Sequence, residues 1–422
     1  MKKRTMKNLN YPIVSEVQVA ERLETAFNSH RLAGKRILAI IPDNTRSAPI
    51  DLFFRELHAL CRGRVRALDY LVALGTHPVL TEGELCRRVG ITSRERDETY
   101  RDTGIFNHRW DLKETFVSIG AIPRDEIERL SRGMLNESAE VLINRIVLGY
   151  DMLLIIGPVF PHEIAGFSGS NKYLFPGICE LGFTDVTHWL GALQTNLETI
   201  GVKDTPTRSI IDRAARLVPV PILYCNLVVD EEGLKGLFIG EDAAAWERAV
   251  ELSSRLNIRY VDRPFKRVLS IAPEKYDDFW TGAKAFYKIE PIMEEGGELV
   301  VYAPHIREIS KTHGKLFEEI GFHVKEYFLA NWKNYDRYPR TVLAYSSLVK
   351  GAGTYAGGVE TPRVRLTLAS GVPKGQCERF NIGYADPQGI SPSDWERGES
   401  EGTKVIPNAG EVLYKVKESH DE

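Results

Sequence analysis

Short apolar runs alternate with amphipathic stretches along the first 260 residues. The apolar runs have the length and continuity of strands that are buried on both faces, and they lie at Arg36–Pro42, 65–74, 151–157 and 222–229. The spacing of apolar positions predicts helices at 51–61 with Asp51 as the cap, at 81–89 with a Thr-x-x-Glu capping box, and at 242–256. This alternation predicts an α/β fold with a mostly parallel sheet and helices on both faces.

A second alternating block follows residue 264. It predicts strands at 267–273, 298–303 and 363–369, with helices at 277–293, 312–320 and 342–350. A predicted helix ends and Asp262-Arg263-Pro264 breaks the pattern between the blocks, so we expect two α/β domains, 1–262 and 263–422. The Gly-, Pro- and Ser-rich segment from Asn381 predicts a loop with one short strand at 410–416. We expect the active site in the cleft between the domains, and the tail after about residue 381 is a candidate to pack back on the first domain.

Composition narrows the class of protein. The chain has 422 residues and a formal net charge of −3, so no broad basic field favours nucleic acid as a partner. Its five cysteines are scattered without a C-x-x-C pair, which fits a reducing cytoplasm and indicates no zinc knuckle. The basic start is followed by no signal-peptide core, and the apolar stretch 147–160 is too short to span a bilayer. We therefore expect a soluble cytoplasmic protein without a membrane partner.

Polar side chains follow three of the predicted strands. Asp43 and Arg46 come after the first, His77 after the second, and His162 after the third of them. Ligands in open α/β sheets bind beyond the carboxyl ends of strands, so these side chains are expected at one rim. Two histidines can take and give a proton near neutral pH, and a racemase needs such a group on each face of its intermediate.

The segment 157–177, GPVFPHEIAGFSGSNKYLFPG, places a loop of small residues and Lys172 after a strand. Such a loop can wrap amides around a phosphate, although the Walker pattern is absent; a tight surface turn with a solvated lysine is the alternative. His188 is either structural or a metal ligand, and without a metal-binding motif most ligands would have to come from a cofactor. Arg46 and Lys284 are candidate carboxylate anchors or surface cations.

Taken together, these motifs resemble those of the nickel-pincer lactate racemases, over roughly residues 35 to 300. The matching residues, in chain order, are Asp43 and Arg46, Gly75-Thr76-His77 with Thr81 and Glu84, Asn107-His108, Pro161-His162, Ala165-Gly166-Phe167-Ser168-Gly169 with Lys172, Pro176-Gly177, and His188. The stretch from Pro161 to Gly177 is the specific part of the resemblance, because Asp-x-x-Arg alone is a weak motif.

The resemblance implies a site and a reaction. Lys172 would carry the cofactor, a pyridinium-3,5-bisthiocarboxylic acid mononucleotide with nickel, and His188 would be the protein ligand of the metal. Asp43 and the loop residues Gly166, Ser168, Gly169 and Ser170 would bind the cofactor. His77 and His162 would be acid and base in a reversible hydride transfer that interconverts a small 2-hydroxy acid. Cofactor-building enzymes would be partners in maturation.

Departures from the family pattern concentrate on the substrate side. Pro78 follows His77 where the family usually has Arg, and Ser170 replaces a Gly before the lysine. A carboxylate-binding Gln of the family falls on Thr281, and an aromatic residue of the C-terminal domain falls on Tyr338. We therefore expect the chemistry to be retained with a substrate beyond lactate, such as malate, an aryl-lactate or a sugar acid.

Two other functions compete with this interpretation. A nicotinamide-dependent 2-hydroxy acid dehydrogenase fits the α/β pattern, but the chain has no G-x-G-x-x-G after an early strand. A nickel-free relative that binds a nucleotide or sugar acid would be favoured by loss of Lys172, His188 or either proton-transfer histidine. All four residues are present. His108 is left without an assigned role.

Overall fold

The structure, a computed structural model, describes residues 11–397 and 402–417. Its strands in chain order are β1 Arg36–Pro42, β2 Ala67–Ala73, β3 Ile105–Asn107, β4 Phe116–Ile122, β5 Ala139–Asn144, β6 Met152–Pro158, β7 Pro161–His162, β8 Gly166–Phe167, β9 Ile222–Asp230, β10 Gly233–Gly240, β11 Ile258–Val261, β12 Phe265–Ile271, β13 Met293–Ala303, β14 Gly353–Ala356, β15 Val359–Pro362, β16 Arg365–Ser370, β17 Gly383–Tyr384, β18 Thr403–Ile406 and β19 Leu413–Val416.

The helices connect these strands. In chain order they are α1 Glu16–Asn28, α2 Ile50–Cys61, α3 Glu82–Arg88, α4 Ser93–Glu98, α5 Arg124–Leu130, α6 Leu181–Thr199, α7 Pro206–Ala215, α8 Ala243–Asn257, α9 Phe279–Gly282, α10 Lys284–Tyr287, α11 Gly314–Ile320, α12 Lys325–Ala330, α13 Trp332–Tyr335, α14 Arg340–Lys350, α15 Lys374–Arg379 and α16 Pro392–Arg397. Among the described residues, no helix combines the length and apolar character needed to cross a bilayer.

A six-stranded sheet forms the first half of the fold, in the order β10-β9-β6-β1-β2-β3. All neighbouring strands run parallel except β9 and β10, which are antiparallel. Every residue of β6 is buried, because apolar clusters cover both faces of the sheet. The predicted parallel α/β sheet is thus confirmed. The order also sets the carboxyl ends of β6, β1 and β2 side by side, where the polar residues that follow them can meet.

A second sheet of five parallel strands has the order β17-β16-β13-β12-β18. The expectation of one short strand in the tail is incomplete. The strand β18 extends the edge of this sheet beside β12, and β19 pairs in parallel with β11, which precedes the predicted domain boundary. The division into domains at 262 and 263 remains a prediction.

The predicted helix at 277–293 is wrong. The chain forms two single turns there, α9 and α10, and then a 3-10 turn at Glu290–Ile292 before β13 begins. The Asp278 side chain accepts a hydrogen bond from the Thr281 amide and so starts a short helix, and Pro291 cannot continue a regular one. Elsewhere the predicted elements occur with ends displaced by a few residues, and the capping box at Thr81 is present. The predicted cap at Asp51 is wrong, because α2 has Pro49 at its N-cap position and Asp51 lies inside its first turn.

Helix α6 joins the two sheets by packing against α14. The Asp185 carboxylate accepts a hydrogen bond from the Thr341 amide at 2.8 Å, and the Asn196 side chain donates to the buried Glu290 at 3.0 Å. Because α6 also carries His188, this packing places α14 and its Tyr345 beside the strand ends of the first sheet.

Candidate active site

A cavity of about 660 Å³, called here the inner cavity, lies at the carboxyl ends of β1, β2 and β6. Eight of the residues that the sequence singles out line it, and they are Asp43, Arg46, His77, His162, Ser168, Gly169, Lys172 and His188. Asp43 and Arg46 follow β1, His77 follows β2 and His162 comes shortly after β6, and these strands are parallel neighbours in the sheet. The loop after β8 and helix α6 supply the others.

His77 is held by Asp43. The carboxylate accepts a short hydrogen bond from Nδ1 of His77, and it also accepts from the amide and hydroxyl of Thr45 at 3.1 and 2.7 Å. Burial alone would raise the pKa of Asp43, but His77 and Arg46 bring it well below its usual range. The carboxylate is therefore ionised, and Nδ1 of His77 carries the proton that it accepts.

His162 has the opposite arrangement of protons. The amide of Ile164 donates to its Nδ1 at 3.1 Å, so this nitrogen has a lone pair and the neutral ring carries its proton on Nε2. Burial, reinforced by the charges of Lys172 and Arg46, lowers the pKa of His162 well below its usual value. The two imidazoles of the inner cavity thus differ in which ring nitrogen carries the proton.

Lys172 lies in a 3-10 turn, Ser170–Tyr173, at the end of the loop that follows β8. Burial, with the nearby positive charge of Arg46, lowers the pKa of the lysine to about 7. Its amine is therefore neutral in about half of the molecules at pH 7, and a neutral amine is a nucleophile.

The loop before Lys172 is fixed from outside the cavity. Trp246 donates from Nε1 to the carbonyl of Ser168 at 2.8 Å, and the Arg208 guanidinium donates to the carbonyl of Gly169 at 3.2 Å. Arg208 also stacks on the ring of Trp246, 3.8 Å from its centre. These two buried side chains hold the loop backbone in place, and no sequence motif marks either of them.

Gly166 and Ser170 support the loop without lining the inner cavity. A Cβ on Gly166 would lie 1.9 Å from the carbonyl oxygen of Val202, so only glycine fits there. Ser170 adopts a φ of 47° and donates its hydroxyl to Asn226 at 2.9 Å. Both residues thus have a structural role in the loop, and their contact with the cofactor stays a prediction.

His188 projects from α6 into the inner cavity. Its Nδ1 donates to the carbonyl of Thr184 at 2.9 Å, which leaves Nε2 as a free lone pair, and burial lowers its pKa to about 4. A neutral imidazole oriented by a carbonyl is the usual form of a metal-binding histidine. Within 11–397 and 402–417 there is no group of three or more His, Cys, Asp or Glu that could hold a metal ion.

A wider, solvent-open cavity of about 3040 Å³, called here the outer cavity, adjoins the inner one. Arg46 lines both, and Lys284 lines the outer cavity. The Arg46 guanidinium lies 5.3 Å from the ring centre of Phe160, and the Lys284 ammonium lies 5.2 Å from that of Tyr276. Burial and the charge of Arg46 lower the pKa of Lys284 to about 7. The two predicted carboxylate anchors, Arg46 and Lys284, therefore both line the outer cavity, and Arg46 lies where it adjoins the inner one.

The structure does not bring Thr281 or Tyr338 to either cavity. Thr281 donates its hydroxyl to Asp278 at 2.9 Å as part of the cap of α9, and the Tyr338 hydroxyl donates to Glu319 near the surface. Tyr345 on α14 is the aromatic residue that lines the inner cavity.

His108 is fully buried away from the cavities. It accepts from the Asn144 side chain at 3.1 Å and donates to the carbonyl of Cys179 at 3.3 Å, and burial lowers its pKa to about 4. It is a neutral histidine that links β5 to the segment after Lys172.

Sequence reasoning missed three residues near the site, and they are Glu163, Lys288 and Tyr345. Glu163 does carry a signal, because a carboxylate directly after a candidate catalytic histidine at a strand end is chemically unusual. Lys288 stands one helical turn after Lys284, a spacing that predicts a shared face. Nothing in the local sequence marks Tyr345, which depends on the packing of α14 against α6.

Comparisons with known proteins find similar sequences among lactate racemases. Residues 7–200 match the family model of the lactate racemase N-terminal domain. Lactate racemase of Thermoanaerobacterium thermosaccharolyticum is 24% identical over 255 residues, which cover 58% of this chain and 55% of that protein. Lactate racemase of Lactiplantibacillus plantarum is 23% identical over 304 residues, covering 69% and 66%. The aligned regions thus span less than two thirds of either relative.

Two solved structures resemble the whole fold. A protein from Thermotoga maritima is 30% identical, with a TM-score of 0.88 and coverage of 96% of this chain and 98% of that one. The lactate racemase apoprotein from Thermoanaerobacterium thermosaccharolyticum has a TM-score of 0.73 at 18% identity, with coverage of 96% and 94%. The second likeness is one of fold alone.

Proposed function

We propose that the chain, which is similar to lactate racemases in sequence, is a racemase or epimerase that inverts carbon 2 of a 2-hydroxy acid. The observation that carries the proposal is the pair of histidines on the inner cavity with opposite tautomers, since Nδ1 of His77 donates to Asp43 and Nδ1 of His162 accepts from the Ile164 amide. Inversion at carbon 2 requires one such group on each face of a planar intermediate.

The inner cavity also fits the cofactor that the resemblance implies, a nickel-pincer nucleotide. Lys172 offers a partly neutral amine for covalent attachment, and Nε2 of His188 offers a lone pair for nickel. Ser168 and Gly169 line the wall beside Lys172, and their backbone is fixed by Trp246 and Arg208. When bound, the cofactor supplies the redox chemistry that protein side chains lack.

The remaining steps belong to the side chains. Arg46 and Lys284 bind the substrate carboxylate, the first through its fork and the second as a point charge. His77 takes the hydroxyl proton, and the ionised carboxylate of Asp43 stabilises the positive charge that results on the imidazole ring. His162 serves the oxygen on the opposite face, and it supplies a proton there only after taking one up, because the doubly protonated imidazolium is the acid form of histidine. The two histidines exchange roles when the reaction runs in reverse.

The test is a screen of chiral 2-hydroxy acids by polarimetry, using protein produced together with the cofactor-building enzymes. His77→Ala and His162→Ala are each expected to slow interconversion by about 10²–10⁴-fold. His30→Ala is the matched control, since His30 pairs with Glu241 and lines neither cavity. Near-normal rates in either cavity variant would contradict the proposal. Turnover that depends on added nicotinamide cofactor would favour a dehydrogenase instead.

A further inference from the structure

The outer cavity holds buried ionic groups that the proposed reaction does not use. Glu163 and Lys288 both line it, with exposures of 4% and 3%. Arg46 connects this cavity to the inner one, so a substrate whose carboxylate rests on Arg46 can extend its carbon chain into the outer cavity. What these two residues would bind there follows from their hydrogen bonds and charge.

Glu163 is an ionised acceptor without a donor from a neighbouring side chain. Its Oε2 lies 3.3 Å from Nδ1 of His162, but that nitrogen already accepts from the Ile164 amide and has no proton to give. Burial would raise the pKa of Glu163, but Arg46, its own amide and Lys284 bring it below the usual value. A buried carboxylate in this state can accept hydrogen bonds from a ligand.

Lys288 is a donor with spare capacity. Its ammonium has three N–H groups, and within the described part of the chain the one hydrogen bond that this ammonium makes is a long one of 3.3 Å to the carbonyl of Glu411. The ammonium also lies 5.3 Å from the ring centre of Phe160, and the Arg46 guanidinium lies at the same distance from that ring centre. Burial lowers the pKa of Lys288 to about 8, so the ammonium form still prevails at neutral pH.

The charges near Arg46 favour a ligand with a single carboxylate. Arg46 and Lys284 are the cations assigned to that carboxylate, and Lys284, with a pKa of about 7, is only partly charged at neutral pH. Glu411 is already paired with Lys275 at 2.8 Å. A second ligand carboxylate would meet the unpaired charge of Glu163 in a buried setting, which is costly.

We propose that the substrate is a monocarboxylic 2-hydroxy acid with further hydroxyl groups along its chain, as in a sugar acid, and that Glu163 and Lys288 hydrogen-bond those hydroxyls. The inference rests on the proposed function and narrows its substrate. A hydroxyl donates and accepts at once, so it satisfies both residues without adding charge. A methyl or aromatic group would leave them desolvated and unpaired, which disfavours binding.

Calorimetry on the cofactor-free protein tests the cavity without depending on activity. A six-carbon aldonic acid is expected to bind at least about 10-fold more tightly than lactate, malate or phenyllactate. Glu163→Gln and Lys288→Met should each weaken aldonate binding about 10-fold and change lactate binding by less than about 2-fold. Lys417→Met is the matched control, because Lys417 lines the same cavity but pairs with Asp262. Thermal melting checks that each variant folds.

Tighter binding of malate or phenyllactate, or an equal effect of both variants on lactate, would overturn the inference. The nickel-loaded enzyme separates this failure from that of the proposed function. If lactate or malate is interconverted and the aldonic acid is not, the substrate inference is wrong and the proposed function stands. If no 2-hydroxy acid is interconverted, the proposed function is wrong, and calorimetry still decides whether the outer cavity binds a polyhydroxy acid.

Discussion

Replacing Lys172 by methionine should stabilise the cofactor-free protein at neutral pH. The lysine lies in a cavity beside Arg46, and its pKa falls from 10.5 to about 7, chiefly because it is buried. The folded protein therefore holds the lysine proton less tightly than the unfolded chain, and that difference opposes folding. Methionine has a similar length and no charge, so Lys172→Met removes the opposing contribution.

The magnitude follows from the two pKa values. A fall from 10.5 to about 7 corresponds to about 5 kcal/mol, at about 1.4 kcal/mol for each tenfold change in proton affinity. Part of the side chain is accessible from the inner cavity, and water there reduces the unfavourable contribution, so we expect a gain of about 2–3 kcal/mol. For a lysine with a lowered folded pKa, the gain is largest below about pH 7 and disappears as the pH rises towards 10.5.

Urea unfolding followed by tryptophan fluorescence, at about pH 6.5 and about pH 9.5, measures the effect. Lys315→Met is the control, because Lys315 is exposed on α11 and such surface changes usually stay within about 0.5 kcal/mol. A Lys172→Met protein that is less stable than the parent at about pH 6.5, or whose advantage grows with pH, would refute the assignment of Lys172 as a partly neutral buried amine.

Three further predictions concern the site. Asp43→Asn should lower kcat of the loaded enzyme by about 10²–10³-fold, because the amide cannot fix the proton of His77 on Nδ1, and a loss below about 10-fold would contradict this. Arg208→Lys should reduce the fraction of protein that carries a mass adduct on Lys172, since the contact to the Gly169 carbonyl is lost; an unchanged fraction in intact-mass measurements would argue against it. Binding of a 2-hydroxy acid to cofactor-free protein should be full below about pH 7 and weaken above it as Lys284, with a pKa of about 7, loses its charge, and Lys284→Met should flatten that calorimetric profile.

The sequence predicts the site best where chemistry follows a buried parallel strand. The runs that form β1, β2 and β6 are continuously apolar because the sheet is covered on both faces, and their order in the sheet unites the residues that follow them. The sequence alone therefore places Asp43, His77 and His162 at one rim. It does not reveal the protonation of the two histidines, since that depends on single hydrogen bonds from the Ile164 amide and to Asp43.

Prediction is poorest where function depends on packing between distant segments. The apolar spacing of 277–293 indicates one helix, but the Asp278 cap and Pro291 divide the segment, and this division sets Lys284 and Lys288 on the outer cavity. The family pattern places an aromatic residue of the C-terminal domain at Tyr338. The structure instead brings Tyr345 to the inner cavity, through the contact of α14 with α6. Such long-range packing leaves no periodic trace in the local sequence.

The hydrogen on carbon 2 offers the most direct test of the proposed mechanism. The nickel-loaded enzyme is given a 2-hydroxy acid deuterated at that carbon, and both stereoisomers are analysed by mass spectrometry at partial conversion. We predict that the deuterium stays on carbon 2 in both isomers and that interconversion is slower than with the unlabelled acid. Exchange of the label with water would contradict hydride transfer, because it would mean that the two histidines remove the carbon-bound hydrogen as a proton.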